Sequence, residues 1–140
     1  MKHFNRHKPC VVLTRTNGPD LEFHEIAEIA IVPITNLVVD NSILPFNIRF
    51  STINKGNLTI EQYDNCRKYG FGMSASYQLF DNWFRKLGLA FNKRIMPISY
   101  EWAIHRPFVA KWLGYADHVP LYDDYFSYWY RDLMPVGLYW

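Results

Sequence analysis

The hydrophobic pattern of this 140-residue chain changes period once, near Thr59, and that change constrains the fold more than any other feature. Before it, the apolar residues come in short runs or alternate. Cys10-Val11-Val12-Leu13-Thr14 reads as a strand buried on both faces. Phe46-Asn47-Ile48-Arg49-Phe50 alternates strictly, as a half-exposed strand does, and Leu37-Val38-Val39 precedes it in the same Asn36–Phe50 stretch. Glu25–Pro33 is open to two readings: its β-branched end favours a strand, while Glu and Ala tolerate a helix. After the change, Thr59-Ile60-Glu61-Gln62 is a capping box and Gly70 a stop, which predicts a helix over Ile60–Tyr69. Tyr77, Phe80, Trp83, Phe84 and Leu87 recur at helical spacing. Arg94–Ser99 reads as a strand despite Pro97, Pro107 suits the first position of a helix carrying Phe108, Val109, Trp112 and Leu113, and Tyr125–Arg131 reads as a strand. Three strands, two helices, a strand, a helix and a strand predict an α/β layer with a mixed sheet.

Composition narrows the class further. With 49% hydrophobic residues, the length suits a single core, expected over residues 10–140 behind a basic arm at Met1–Pro9. A net charge of +2 is too small to imply nucleic acid by itself. No stretch reaches the ~20 apolar residues of a membrane span, and the arm has no secretory character. Cys10 and Cys66 make no disulfide framework and read as buried thiols of a cytoplasmic protein. The unusual figure is 18% aromatic residues, which serve cores and interfaces alike.

Three segments, in order, resemble the DEDD-type 3′–5′ exonucleases. Val11-Val12-Leu13-Thr14-Arg15-Thr16-Asn17-Gly18 followed by His24–Ile31 resembles the first motif, a strand running into Asp-x-Glu-Thr-x-Gly, a loop and Glu-Ile-Ile-Glu-Ile-Ala. Pro97–Val109 is similar to the second motif, with Arg106-Pro107-Phe108 matching its Arg-Pro-Phe. Tyr125–Asp132 looks like the aromatic strand ending in Arg-Asp that follows it. The resemblance implies a ribonuclease H-like fold: a three-strand antiparallel meander, then parallel strands with helices, shortened before the last helices. It also makes Glu25–Pro33 a strand.

The chemistry that the resemblance implies needs clustered carboxylates, because two divalent ions roughly 3.5–4 Å apart activate water and stabilise the leaving oxygen. Thr14 and Thr16 stand where the first motif has its acids, His105 stands at the second-motif Asp, and the late His/Asp helix has no counterpart before Trp140. Hydroxyls do not replace charged oxygen ligands for Mg²⁺. The expectation is therefore a pseudoenzyme with no metal and no cofactor. Asp20, Glu22, Glu25 and Glu101 are the acids that would have to rebuild a site. His24-Glu25 with Glu28 lacks the second histidine of a zinc-protease helix, and His3, His7 and Cys10 lack a fourth ligand.

The remaining function is binding. Arg15, Arg94 and Arg106, with Tyr100 and Trp102, are candidates for weak, salt-dependent contact with single-stranded nucleic acid. Tyr125, Tyr128, Trp129, Tyr130, Tyr139 and Trp140 are candidates for a protein interface or a homodimer. The first reading is an inactive exonuclease-like protein, of the kind phages encode, that inhibits a host defence or nucleic-acid-processing factor in the host cytoplasm. The second is a non-hydrolytic nucleic-acid-binding module, and the third an active exonuclease with relocated ligands.

Overall fold

The computed structural model describes residues 7–51, 53–87, 93–115 and 122–133. Strand β1 runs His7–Thr16, β2 Ile26–Thr35, β3 Val38–Val39 and β4 Phe46–Arg49; helices α1 (Ile60–Tyr69) and α2 (Met73–Lys86) follow, then β5 (Arg94–Ser99), α3 (Trp102–Tyr115), α4 (Tyr122–Tyr125) and β6 (Arg131–Asp132). The sheet order is β3-β2-β1-β5-β6, with β4 also pairing β2. β1, β2 and β4 form the antiparallel meander, and β5 and β6 add parallel to β1 and β5. This is the mixed α/β sheet that the pattern predicts, and Glu25–Pro33 is resolved as strand because Ile29 and Ile31 sit against Thr14 and Val12 in the ladder.

Three sequence boundaries need correction. β1 begins at His7, inside the expected arm, because His7 and Pro9 pair with Arg94 and Met96 of β5, a partner no local pattern reveals. Pro107 lies inside α3 rather than at its start. Glu101, at φ 53°, turns the chain, and its carbonyl accepts from the N–H groups of Ile104 and His105, so the helix is already running when Pro107 arrives. Finally, Tyr125–Arg131 is not one strand. Its start completes α4, Phe126 makes a single bridge to Ile95, and only Arg131–Asp132 pairs with β5.

Alternation divides the sheet. Cys10 and Val12, Ile29 and Ile31, Phe46 and Ile48, and Ile95 point to the helix side and are buried. Phe80 of α2 is the hub of that core. Its ring lies 5.6 Å from Phe46, 5.4 Å from Trp112 of α3, 4.9 Å from Tyr125 and 6.1 Å from Phe126. One side chain therefore ties a strand to three helices, and truncating such a ring costs about 3–5 kcal/mol. The capping box forms as read: Gln62 N–H donates to Thr59 Oγ1 at 3.1 Å and Thr59 N–H to Gln62 Oε1 at 3.0 Å.

Candidate functional site

The end of β1 sets the site. Thr14 and Thr16 share the helix-facing side with Cys10 and Val12, because a strand repeats every two residues. Thr16 Oγ1 donates to the Gly18 carbonyl at 2.9 Å, which starts the turn out of the strand. Thr14 Oγ1 and His105 Nδ1, at two of the three positions that the motifs align with acids, are buried without a hydrogen-bond partner among the described residues.

Asn17 then holds the loop. Its N–H donates to the Glu25 carbonyl, its Oδ1 accepts from Glu25 N–H at 2.8 Å, and its Nδ2 donates to the Asn54 carbonyl at 2.9 Å. From the other side, Lys111 of α3 donates to the carbonyls of Leu21 and His24 and pairs with Glu25 at 2.9 Å. These contacts shape a polar cleft of about 450 Å³ walled by Asn17, Phe23, Ser51, Asn54, Tyr63 and Arg67. Phe23 is 70% exposed, and Arg67 stacks 5.6 Å over the Tyr63 ring. An exposed ring beside a guanidinium suits a planar, anionic group. Tyr63 and Arg67 escaped the sequence reading, although their i, i+4 spacing on the capped helix was the available signal.

The acids do not regroup. Glu25 is held by Lys111, Glu28 lies 3.3 Å from Arg15 and 3.8 Å from Arg49 on the far side of the sheet, and Asp20 accepts from Glu22 N–H. No group of three His, Cys, Asp or Glu among the described residues is placed to hold a metal. Two hydroxyls and an imidazole do not fit the hard, charged oxygen set that paired Mg²⁺ ions require.

The other candidates fall apart by geometry. Trp102 is 0% exposed, 6.0 Å from Phe126 in the core, so it does not stack on a base. Arg15 points away from Thr14 and Thr16 and pairs with Glu28 across the ladder. Arg94 Nε donates to the Asp123 carbonyl at 2.5 Å, fastening α4. Tyr125 is buried and belongs to the core rather than to a surface. Tyr100 is exposed, and Arg106 lies over the rings of Tyr122 (5.3 Å) and Tyr128 (5.9 Å). Tyr128 and Trp129 are 78% and 65% exposed and Tyr130 is exposed beside them, while Tyr139 and Trp140 lie outside the described residues.

Solved structures share the fold. The fold matches that of exonuclease I. The zinc-bound E. coli exonuclease I–ssDNA complex aligns with a TM-score of 0.70, the E. coli enzyme with a dT13 oligonucleotide with 0.69, and the exonuclease I/SSB-Ct complex with 0.68, each at 13% identity over 94% of this chain. The chain spans 29% of the length of those chains. No protein-family model and no curated protein matches the sequence. The likeness establishes the ribonuclease H-like fold; at this identity it carries no activity with it.

Proposed function

We propose that this chain is a non-hydrolytic protein of exonuclease fold that acts by binding a macromolecular partner. One observation carries the reading: Thr14, Thr16 and His105 stand where the resembled motifs have metal-binding carboxylates, and the neighbouring Glu25 is paired with Lys111 while Glu28 is paired with Arg15 and Arg49. The exposed rings of Tyr128, Trp129 and Tyr130, consecutive in the chain and with Tyr128 and Trp129 6.3 Å apart, support a protein partner or a second copy as the ligand, because exposed aromatics are enriched at interfaces. The finer form of the proposal is a phage-encoded, cytoplasmic inhibitor of a host defence or nucleic-acid-processing factor, with the chain from His7 onward acting as one domain.

The deciding experiment incubates the protein with end-labelled single-stranded DNA and RNA in Mg²⁺ or Mn²⁺. No shortening is expected. Degradation from the 3′ end that EDTA stops, and that Glu25→Gln or Glu101→Gln removes, overturns the proposal in favour of an exonuclease with relocated ligands.

A second reading, a nucleic-acid-binding module without hydrolysis, is favoured by the polar cleft with its exposed Phe23 and its Arg67. Binding there is electrostatic and stacking in character.

A further inference from the structure

Beyond the cleft, a second concavity lies along β4. It is a groove of about 610 Å³ between β4 with its leading loop and α2. Leu44, Phe71, Leu79 and Trp83 line it with Asn47, and Lys86 is the one charged residue of that lining. Leu44 is 81% exposed although its carbonyl is fixed by the Trp83 indole N–H at 2.7 Å. The apolar wall is thus held open rather than folded onto the core.

The main chain of β4 completes the groove. In the antiparallel ladder, Phe50 N–H donates to the Ala27 carbonyl, and Ile48 and Phe46 continue that phase opposite Ile29 and Ile31. Asn47 and Arg49 therefore turn their main-chain groups away from β2. The Arg49 carbonyl already accepts from Phe71 N–H at 2.9 Å, and Phe71 makes a parallel bridge with Phe50. Phe71 is one residue of an added strand, and the next open positions along that edge are the N–H and C=O of Asn47.

From these features we infer that the groove binds an extended segment of a partner protein, which adds as a strand to the β4 edge. Its main chain pairs with Asn47, alternate apolar side chains enter between Leu44, Leu79 and Trp83, and an acidic side chain meets Lys86. Unpaired strand edges recruit strands by main-chain pairing, and alternation lets one face of the guest carry the specificity. The cation selects an acidic guest over a second copy of this groove, which would bring a second Lys86 and no acidic lining residue. This deepens the binding reading above, but it is independent of whether nucleic acid is hydrolysed.

The test uses the full chain and a synthetic acetylated peptide, Glu-Val-Thr-Leu-Thr-Val amide. A second peptide of the same sequence carries N-methyl groups at alternate residues, which remove main-chain donors. The unmodified peptide is expected to bind and to slow amide hydrogen exchange at Asn47 at least fivefold, and the N-methylated peptide to do neither. Asn47→Pro removes the outward N–H at a position where an edge strand tolerates proline, and is expected to abolish binding with the unfolding midpoint unchanged. Lys86→Glu is expected to weaken binding, with a lysine-for-glutamate peptide restoring it. Equal binding of both peptides, or binding unaffected by Asn47→Pro, overturns the inference. No protection of Asn47 at millimolar peptide overturns it as well. Self-association of the wild-type chain that Asn47→Pro abolishes overturns the partner and makes a second copy the occupant. The nuclease assay is unaffected by any of these outcomes, so the two proposals fail separately.

Discussion

Tyr125 donates its hydroxyl to Asp81 Oδ1 across 2.6 Å and thereby fastens α4 to α2. Tyr77 joins the same hydroxyl at 2.7 Å, and Arg85 Nε donates to the other oxygen of Asp81 at 2.8 Å. A polar chain is thus set at the rim of the aromatic core, next to the rings of Phe80 and Phe84. Removing the Tyr125 hydroxyl leaves Asp81 short of a donor. Tyr125→Phe is expected to lower stability by about 1–3 kcal/mol in urea unfolding, against a much smaller effect for the exposed Tyr128→Phe.

The same hydroxyl gives a pH signature. Burial, then the hydrogen bonds to Asp81 and Tyr77, push the Tyr125 phenol well above its ordinary value. The folded state keeps that proton where the unfolded state releases it. Its contribution is complete below the unfolded pKa near 10 and is lost as pH rises from there toward the folded value. Stability should decline from about pH 10 upward, and less steeply in Tyr125→Phe. Cys10, pushed up to about 12 by burial, adds to the decline and should resist thiol reagents at neutral pH until the chain unfolds.

Asn17 and Gly56 form one unit at the cleft. Gly56 has φ +49°, and a Cβ there would lie 2.1 Å from the Asn17 carbonyl oxygen, which also accepts from Asn57 N–H at 2.7 Å. Gly56→Ala combines strain with a backbone clash and is expected to cost about 2–3 kcal/mol. Asn17→Ala loses two buried hydrogen bonds for about 2 kcal/mol. Thermal unfolding checks both.

The hairpin tip offers the opposite outcome. Asn36 and Leu37, at φ 53° and 67°, form the two-residue turn between β2 and β3, and Leu37 is almost wholly exposed. A leucine at positive φ is strained by about 1–2 kcal/mol. Leu37→Gly gives the Asn-Gly pair that such turns prefer and should stabilise the chain by about 0.5–1 kcal/mol after the entropy of glycine is counted. A rise in unfolding midpoint is the readout.

Nucleic acid, if the cleft holds it, should respond to the cleft residues and not to those bound elsewhere. Arg67→Ala and Phe23→Ala should both weaken fluorescent single-strand binding, but only Arg67→Ala should reduce its salt dependence, by about 0.7 in logarithmic slope for the lost cation. Arg15→Ala, whose side chain is on the other sheet face, should leave binding unchanged. The reverse order would move the binding surface off the cleft.

Elements whose cause is local are legible in the amino-acid order. The capping box at Thr59 and Gln62 placed α1 to the residue, because cap bonds reach only three residues along the chain. Alternation placed β4, and helical spacing of Phe80, Trp83 and Phe84 placed the buried face of α2. The alignment of Thr14, Thr16 and His105 with the acids of the resembled motifs is read from order along the chain alone. What tertiary structure decided was which side of the molecule each residue serves. Trp102 and Trp129 are both tryptophans beside polar neighbours in sequence, yet one lies against Phe126 in the core and the other is exposed. Arg15 and Thr16 are adjacent, yet pairing with β2 commits Arg15 to Glu28 on the far face. The extension of β1 back to His7, the early start of α3 and the shortening of the last strand all depend on partners far along the chain. Those contacts exist only once the sheet has closed, and so no window of sequence contains them.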